Sequence, residues 1–198
     1  MADKSRQAAW RRDPALKRAR IREAARTLFL KRGYAATTTA QIARAARVSE
    51  GLLFHHFASK EMLLREVASA HADGFIAAMA GAATAGDMPD VPRILRAIFA
   101  YVRTRRPVVS LIAREGATLG AELHRGRVVE ALAALLARWR DTGHMRDLDP
   151  RIVAEILYGA VGVALERCFV DARPRPGERV WLRETVRIVE GALGIAPR

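Results

Sequence analysis

Between Thr38 and Lys60 the chain carries side chains suited to meeting a polyanion and the edges of bases. Thr38, Thr39 and Ser49 offer hydroxyls, Glu50 a carboxylate, and Lys60 an ammonium; Gly51 lets another backbone approach and Leu52 adds an apolar contact. The rings of Phe54, His55 and His56 follow. An ammonium and the N–H groups behind a capping serine bind phosphate oxygens, an aliphatic side chain packs on a thymine methyl, and a carboxylate accepts from cytosine N4. Nucleophilic chemistry has less to draw on. The single cysteine, Cys168, falls on an apolar helix, where a thiol usually packs as an inert group. The five histidines (His55, His56, His71, His124 and His144) show no metal-ligand spacing, and the adjacent His55 and His56 diverge on a helix. No glycine-rich phosphate loop is present. Neither an enzyme, a cofactor nor a metal is expected.

The elements that must hold these groups can be read locally. Thr38 is a good N-cap, and Ile42, Ala43 and Ala46 after it share one face. Arg47-Val48 breaks that pattern, and Ser49 caps a second helix over Glu50 to Phe57. Leu53 and Phe57 fall at core spacing. Two short helices joined by a tight turn over residues 38–57 form a helix-turn-helix, whose second helix fits the DNA major groove.

Around this motif the chain reads as all-α, with about nine helices and no convincing strand. Residues 1–13 form a basic arm. Pro14 opens a helix to about Arg32, stopped by Gly33. Residues 14–62 make the reader domain and residues 63–198 a helical body. Ser59 caps a fourth helix, and Gly81 to Pro92 is a connector rich in small residues. Further helices run from Val91 to Arg105, from Pro107 through Ile112, from Glu122 to Trp139, over 152–169 behind an Asp149 cap and an N1 Pro150, and over 178–193. The 152–169 helix is apolar on most of its surface and must be covered on more than one side. Its Gly159, Ala160, Gly162 and Ala164 would admit a partner helix closely. Burial within a monomer is the alternative.

Charge favours the same partner. Of the net +13, residues 1–70 carry +9 and the remainder +4, the footprint of a nucleic-acid binder. No uncharged apolar run nears the ~18 residues of a membrane span, and the N-terminus lacks the apolar centre of a secretory signal. With one cysteine, a reducing, cytoplasmic setting and no membrane partner are expected.

From Ile21 to Leu64 the chain resembles the TetR family of one-component transcriptional regulators. The matching elements are Ile21-Arg22-Glu23-Ala24-Ala25-Arg26-Thr27-Leu28-Phe29, Gly33-Tyr34, the Thr-rich cap before Ile42-Ala43, Val48-Ser49, Gly51, Phe54-His55-His56-Phe57 and Ser59-Lys60-Glu61. The resemblance implies that Thr39 lies against a phosphate and that Phe54, His55 and His56 meet sugar-phosphate and base edges. Either histidine could be the one half-buried against the first helix. Three positions depart from the family pattern. Phe54 stands for a tyrosine and Arg47 for a turn glycine, while Glu50 occupies a position where a basic residue is common.

The resemblance also implies a homodimer through helices near 152–169 and 178–193, binding a palindromic DNA operator as a repressor. A pocket in the body would take an unknown small-molecule effector, with Phe99, Leu111, Glu115, His124, Trp139 and Tyr158 as lining candidates. A non-specific architectural DNA binder without an inducer is the alternative.

Overall fold

A computed structural model describes residues 13–83, 88–115, 119–171 and 176–195. Apart from Asp13, the expected basic arm lies outside the described residues. Within them the chain forms nine helices and no strand. They are α1 (Pro14–Arg32), α2 (Thr39–Ala46), α3 (Glu50–His56), α4 (Lys60–Ala83), α5 (Val91–Arg103), α6 (Arg106–Arg114), α7 (Leu119–Asp141), α8 (Pro150–Phe169) and α9 (Glu178–Leu193).

Each helix of the reader begins where a side chain satisfies its free N–H groups. Asp13 accepts from the backbone N–H of Ala15 and Leu16, with Pro14 in the first turn. Thr38 and Gln41 form a reciprocal capping box, each side chain accepting from the other's backbone N–H at 3.2 Å. Ser49 Oγ accepts from Leu52 N–H at 3.1 Å. Gly33 ends α1 at φ 84°, a conformation that glycine takes without steric cost.

One boundary that differs from the sequence-based reading has a local cause. Helix α7 begins at Leu119, ahead of the expected Glu122, because an acidic residue favours any position in the first turn rather than marking the cap. Helix α8 begins at Pro150, as the Asp149-Pro150 pair predicts, with Asp149 accepting from Arg151 and Ile152 N–H. The apolar stripe starts later than the helix.

Two hydrophobic clusters divide the molecule, and the division falls inside a helix. Ile21, Ala25 and Phe29 of α1, Ile42, Ala43 and Ala46 of α2, and Leu53 and Phe57 at α3 pack with Leu63 and Leu64 at the start of α4. The body cluster takes up α4 again from Ala72 and continues through α5, α7, α8 and α9. The 24-residue α4 therefore serves both cores. Leu111 of α6, only 1% exposed, joins the reader cluster from the body side.

The turn between α2 and α3 hinges on Arg47, at φ 53° and ψ 48°. It is the one non-glycine residue with positive φ among those described. Arg47 N–H donates to Arg44 O at 3.1 Å and Val48 N–H to Ala43 O at 3.0 Å, so the left-handed residue closes the end of α2. An L-residue with a Cβ costs roughly 1–2 kcal/mol there. Arg47→Gly is therefore expected to raise the unfolding free energy by about 0.5–1 kcal/mol, measured as a higher urea midpoint with an unchanged slope.

Candidate nucleic-acid interface and body cavity

Helix α3 has only seven residues and buries one of them, Leu53. Leu53 and Phe57 (0% and 2% exposed) fix it to the reader core, which leaves Glu50, Gly51, Phe54 and His55 facing solvent and Leu52 partly so. Sequence periodicity had separated these two sets by residue. His56 is the half-buried histidine. Its carbonyl accepts from Arg18 Nη1 of α1 at 3.0 Å, and burial followed by the charges of His55, Arg18 and Lys17 holds its ring below the usual histidine range.

Several polar groups of this face are already partnered. Thr39 Oγ1 donates to Glu50 Oε1 at 2.6 Å, linking the start of α2 to the start of α3. Lys60 Nζ donates at 3.0 Å to both Tyr34 O and Thr37 O and lies 4.3 Å from the centre of the Tyr34 ring. It ties the α1–α2 loop to α4, which no sequence pattern indicated. Thr37, 1% exposed, secures the same loop by donating to Gly33 O at 2.8 Å. Arg44, exposed in the last turn of α2, flanks the turn beside Arg47. Its position opposite Ile42, Ala43 and Ala46 is legible from helical periodicity in the sequence.

The body holds a half-open cavity of about 440 Å³, walled by residues of all six helices from α4 to α9. Of the expected lining residues, His124, Trp139 and Tyr158 are there, and Phe99, Leu111 and Glu115 are not. Phe99 turns to the ring of Phe169, 5.8 Å away. Leu111 is taken by the reader core. Glu115 caps the end of α6 rather than lying within it. There its charge, after burial and Glu61, helps push the Tyr34 hydroxyl up.

Most of the remaining wall is aliphatic, from residues such as Ile94, Leu95, Ile98 and Leu136. His71 and Glu166 are polar wall residues outside the sequence-based candidates, and of the two His71 is the buried one. His71 continues the buried stripe Leu64, Val67 and Ala68 of α4, a pattern that marks burial without revealing a cavity beside it. Its ring stacks on that of His124 at 5.3 Å and 18°. Tyr101 donates its hydroxyl proton to His71 O at 2.9 Å and lies 3.2 Å from His71 Nδ1.

Burial lowers both histidines, His71 to about 3 and His124 to about 4, with mutual or nearby positive charge as the lesser cause. Both are neutral in the folded protein at neutral pH. Unfolding releases them to the ordinary histidine value, so the unfolded chain binds protons first as pH falls. Their stabilising effect is complete above about pH 6.5 and is lost progressively below it. Each is expected to cost about 2 kcal/mol of stability between pH 6.5 and pH 5. Urea unfolding at the two pH values measures the loss, and His71→Phe should show a smaller one.

Residues 21–67 match the family described as bacterial regulatory proteins, tetR family. The chain is 32% identical over 160 residues to the HTH-type transcriptional regulator TcmR of Streptomyces glaucescens, covering 74% of this chain and 70% of TcmR. It is 44% identical over 54 residues to the HTH-type transcriptional repressor KstR2 of Mycolicibacterium smegmatis, a match spanning 27% of this chain and only 26% of KstR2. The fold is similar to that of Salmonella enterica GusR, with a TM-score of 0.73 at 22% identity over 92% of this chain and 97% of GusR. From the family match over the reader and a relative matched along most of its length, the conclusion is that this chain belongs to the TetR family of bacterial regulatory proteins.

Proposed function

We propose that the chain is a sequence-specific DNA-binding regulator, a repressor that holds a palindromic operator as a homodimer and leaves it when a small molecule occupies the body cavity. The observation that carries this reading is the first turn of α3. Glu50 and Gly51 are exposed beside Leu52, on a helix whose opposite side is fixed in the core. A recognition helix is inserted in the groove by this end. Arg44 and Arg47 flank it with positive charge, and Ser49 leaves N–H groups at the helix start for a phosphate. Thr38 and Thr39 begin the neighbouring helix, while Phe54, His55 and His56 extend the contact toward the sugar-phosphate backbone. Lys60 retains a positive charge and one N–H beyond its two carbonyl bonds.

Dimerisation draws support from α8 and α9. Ile152, Ile156 and Val163 are 60%, 63% and 53% exposed, and Ile188 of α9 is 61% exposed. With exposed Gly159 and Ala160 they lie at helical spacing along one side of α8. Two copies related by a two-fold axis would cover this apolar side and present two recognition helices to a repeated half-site.

Helix α6 supplies the route from cavity to reader. Val109, Ile112 and Ala113 line the cavity, while Leu111 between them is buried in the reader core. A ligand that favours one placement of α6 favours one placement of the reader, and release follows from that difference in affinity. No helix among the described residues is long and apolar enough to cross a membrane, which suits a cytoplasmic regulator.

The test is selection of bound fragments from random DNA at physiological salt. One inverted repeat is the expected product. Unrelated fragments bound with steep salt dependence would instead establish the architectural alternative that the +13 charge favours. On the selected repeat, Leu52→Ala is expected to relax preference at one base step per half-site by about 1–3 kcal/mol. Lys60→Ala should weaken all sequences alike. A Lys60→Ala effect confined to one base step would remove Lys60 from the phosphate contacts.

A further inference from the structure

We infer that the body cavity selects an uncharged, largely apolar molecule bearing a hydrogen-bond-accepting oxygen, and that Tyr158 donates to it. The inference rests on the reading of the cavity as an effector site and specifies the chemistry of that effector. The volume of about 440 Å³ falls within the range of small-molecule sites, about 300–1,000 Å³.

Charge selection comes from the wall. Among the described residues neither lysine nor arginine lines it, and the one carboxylate there, Glu166, belongs to an exposed residue. An anion would lose its hydration without a counter-charge, and a cation would find its counter-charge only at a solvent-exposed side chain. The two wall histidines are neutral and supply no charge of their own.

Proton positions single out Tyr158. Tyr101 gives its only hydroxyl proton to His71 O, so His71 Nδ1–H donates to the Tyr101 oxygen, and this pair is committed within the protein. The second pair differs. His124 Nδ1 lies 3.2 Å from Tyr158 Oη, and His124 Nε2 is buried without a hydrogen-bond partner among the described residues. If Tyr158 donated to Nδ1, the proton of neutral His124 would sit on Nε2 as a buried, unpaired N–H. Orphaned donors are rarer than under-satisfied acceptors. The opposite arrangement leaves only a lone pair on Nε2. His124 Nδ1–H then donates to Tyr158 Oη, and the Tyr158 proton is left for a ligand.

His124 Nδ1 is the one hydrogen-bond partner of the Tyr158 hydroxyl among the described residues. Burial raises that hydroxyl above the ordinary tyrosine value, so it remains a donor at neutral pH. Among the described residues the cavity wall therefore offers one directed O–H in mostly apolar surroundings. A ketone, ester or ether oxygen on an apolar skeleton complements it.

Four probes of related shape test this by calorimetry on the full-length protein. They are benzophenone, diphenylmethane without the oxygen, anionic 4-benzoylbenzoate and cationic (4-benzoylbenzyl)trimethylammonium. Benzophenone is expected to bind about fivefold to tenfold more tightly than diphenylmethane, and both charged probes more weakly than benzophenone. Tyr158→Phe should bring benzophenone and diphenylmethane to nearly equal affinity while leaving diphenylmethane unchanged. Diphenylmethane binding also reports that the variant cavity is intact.

An unchanged preference in Tyr158→Phe, tighter binding of a charged probe, or no binding of either neutral probe would overturn the inference. Retention of the selected DNA, measured separately with saturating benzophenone, separates this result from the effector reading. Tyrosine-dependent binding without DNA release would support the ligand chemistry and count against the regulatory role of the cavity.

Discussion

A helix of seven residues cannot hold itself in water, because one or two turns of hydrogen bonds do not offset the cost of nucleation. Helix α3 is such a helix, and its whole outward surface depends on Leu53 and Phe57 being buried beneath it. The rest of the reader is arranged around that constraint. Ser49 satisfies an N–H at its start, and Arg47 accepts a left-handed conformation so that α2 can end against it. The Thr39–Glu50 hydrogen bond ties its first turn to α2. Arg18 of α1 lies 4.4 Å from the centre of the Phe57 ring and also pairs with Glu66 of α4 at 2.8 Å. These partly exposed charges add modest energy, but they connect three helices around the end of the recognition helix.

Rigidity at the reader makes the reader's position depend on the body. Helix α4 enters both cores, so the reader cannot shift without bending α4 or carrying it along. Leu111 adds a second attachment on α6, between residues that face the cavity. The two attachments are unlike each other. Helix α4 is long and continuous, whereas α6 has nine residues and no side-chain cap at its start. A small helix with few satisfied ends is the more readily displaced element, and here it alternates between cavity and reader contacts.

The reader was legible in the sequence because its signals are local. Caps, the Arg47 turn and the periodicity of Ile42, Ala43, Ala46, Leu53 and Phe57 all act within a few residues. The interruption of one helix and the capping of the next gave the turn, and the family resemblance, which has a glycine where Arg47 stands, gave its left-handed conformation. The cavity was not legible in the same way. Phe99, Leu111 and Trp139 are all large apolar residues on amphipathic helices, and nothing in their spacing separates cavity wall from solid core. Only helix placement shows that Phe99 meets Phe169, Leu111 enters the other core, and Trp139 lines the space. Lys60 was legible only in part: its charge suggested an outward contact, but no local pattern showed that two carbonyls 23 and 26 residues earlier in the chain also hold its ammonium.

The cavity itself has a cost that bears on function. A solid core would gain dispersion and burial from filling this volume, and a body needed only to join two readers would have no use for the space. The stacked pair of His71 and His124 adds to the cost, since each ring is held neutral against its ordinary tendency to protonate. Aliphatic side chains of similar size would stabilise the same helices without that penalty. Polar groups kept in an otherwise apolar wall make physical sense where they orient a hydroxyl toward an occupant. The arrangement of His124 and Tyr158 has this character, with the imidazole fixing the proton that the phenol presents.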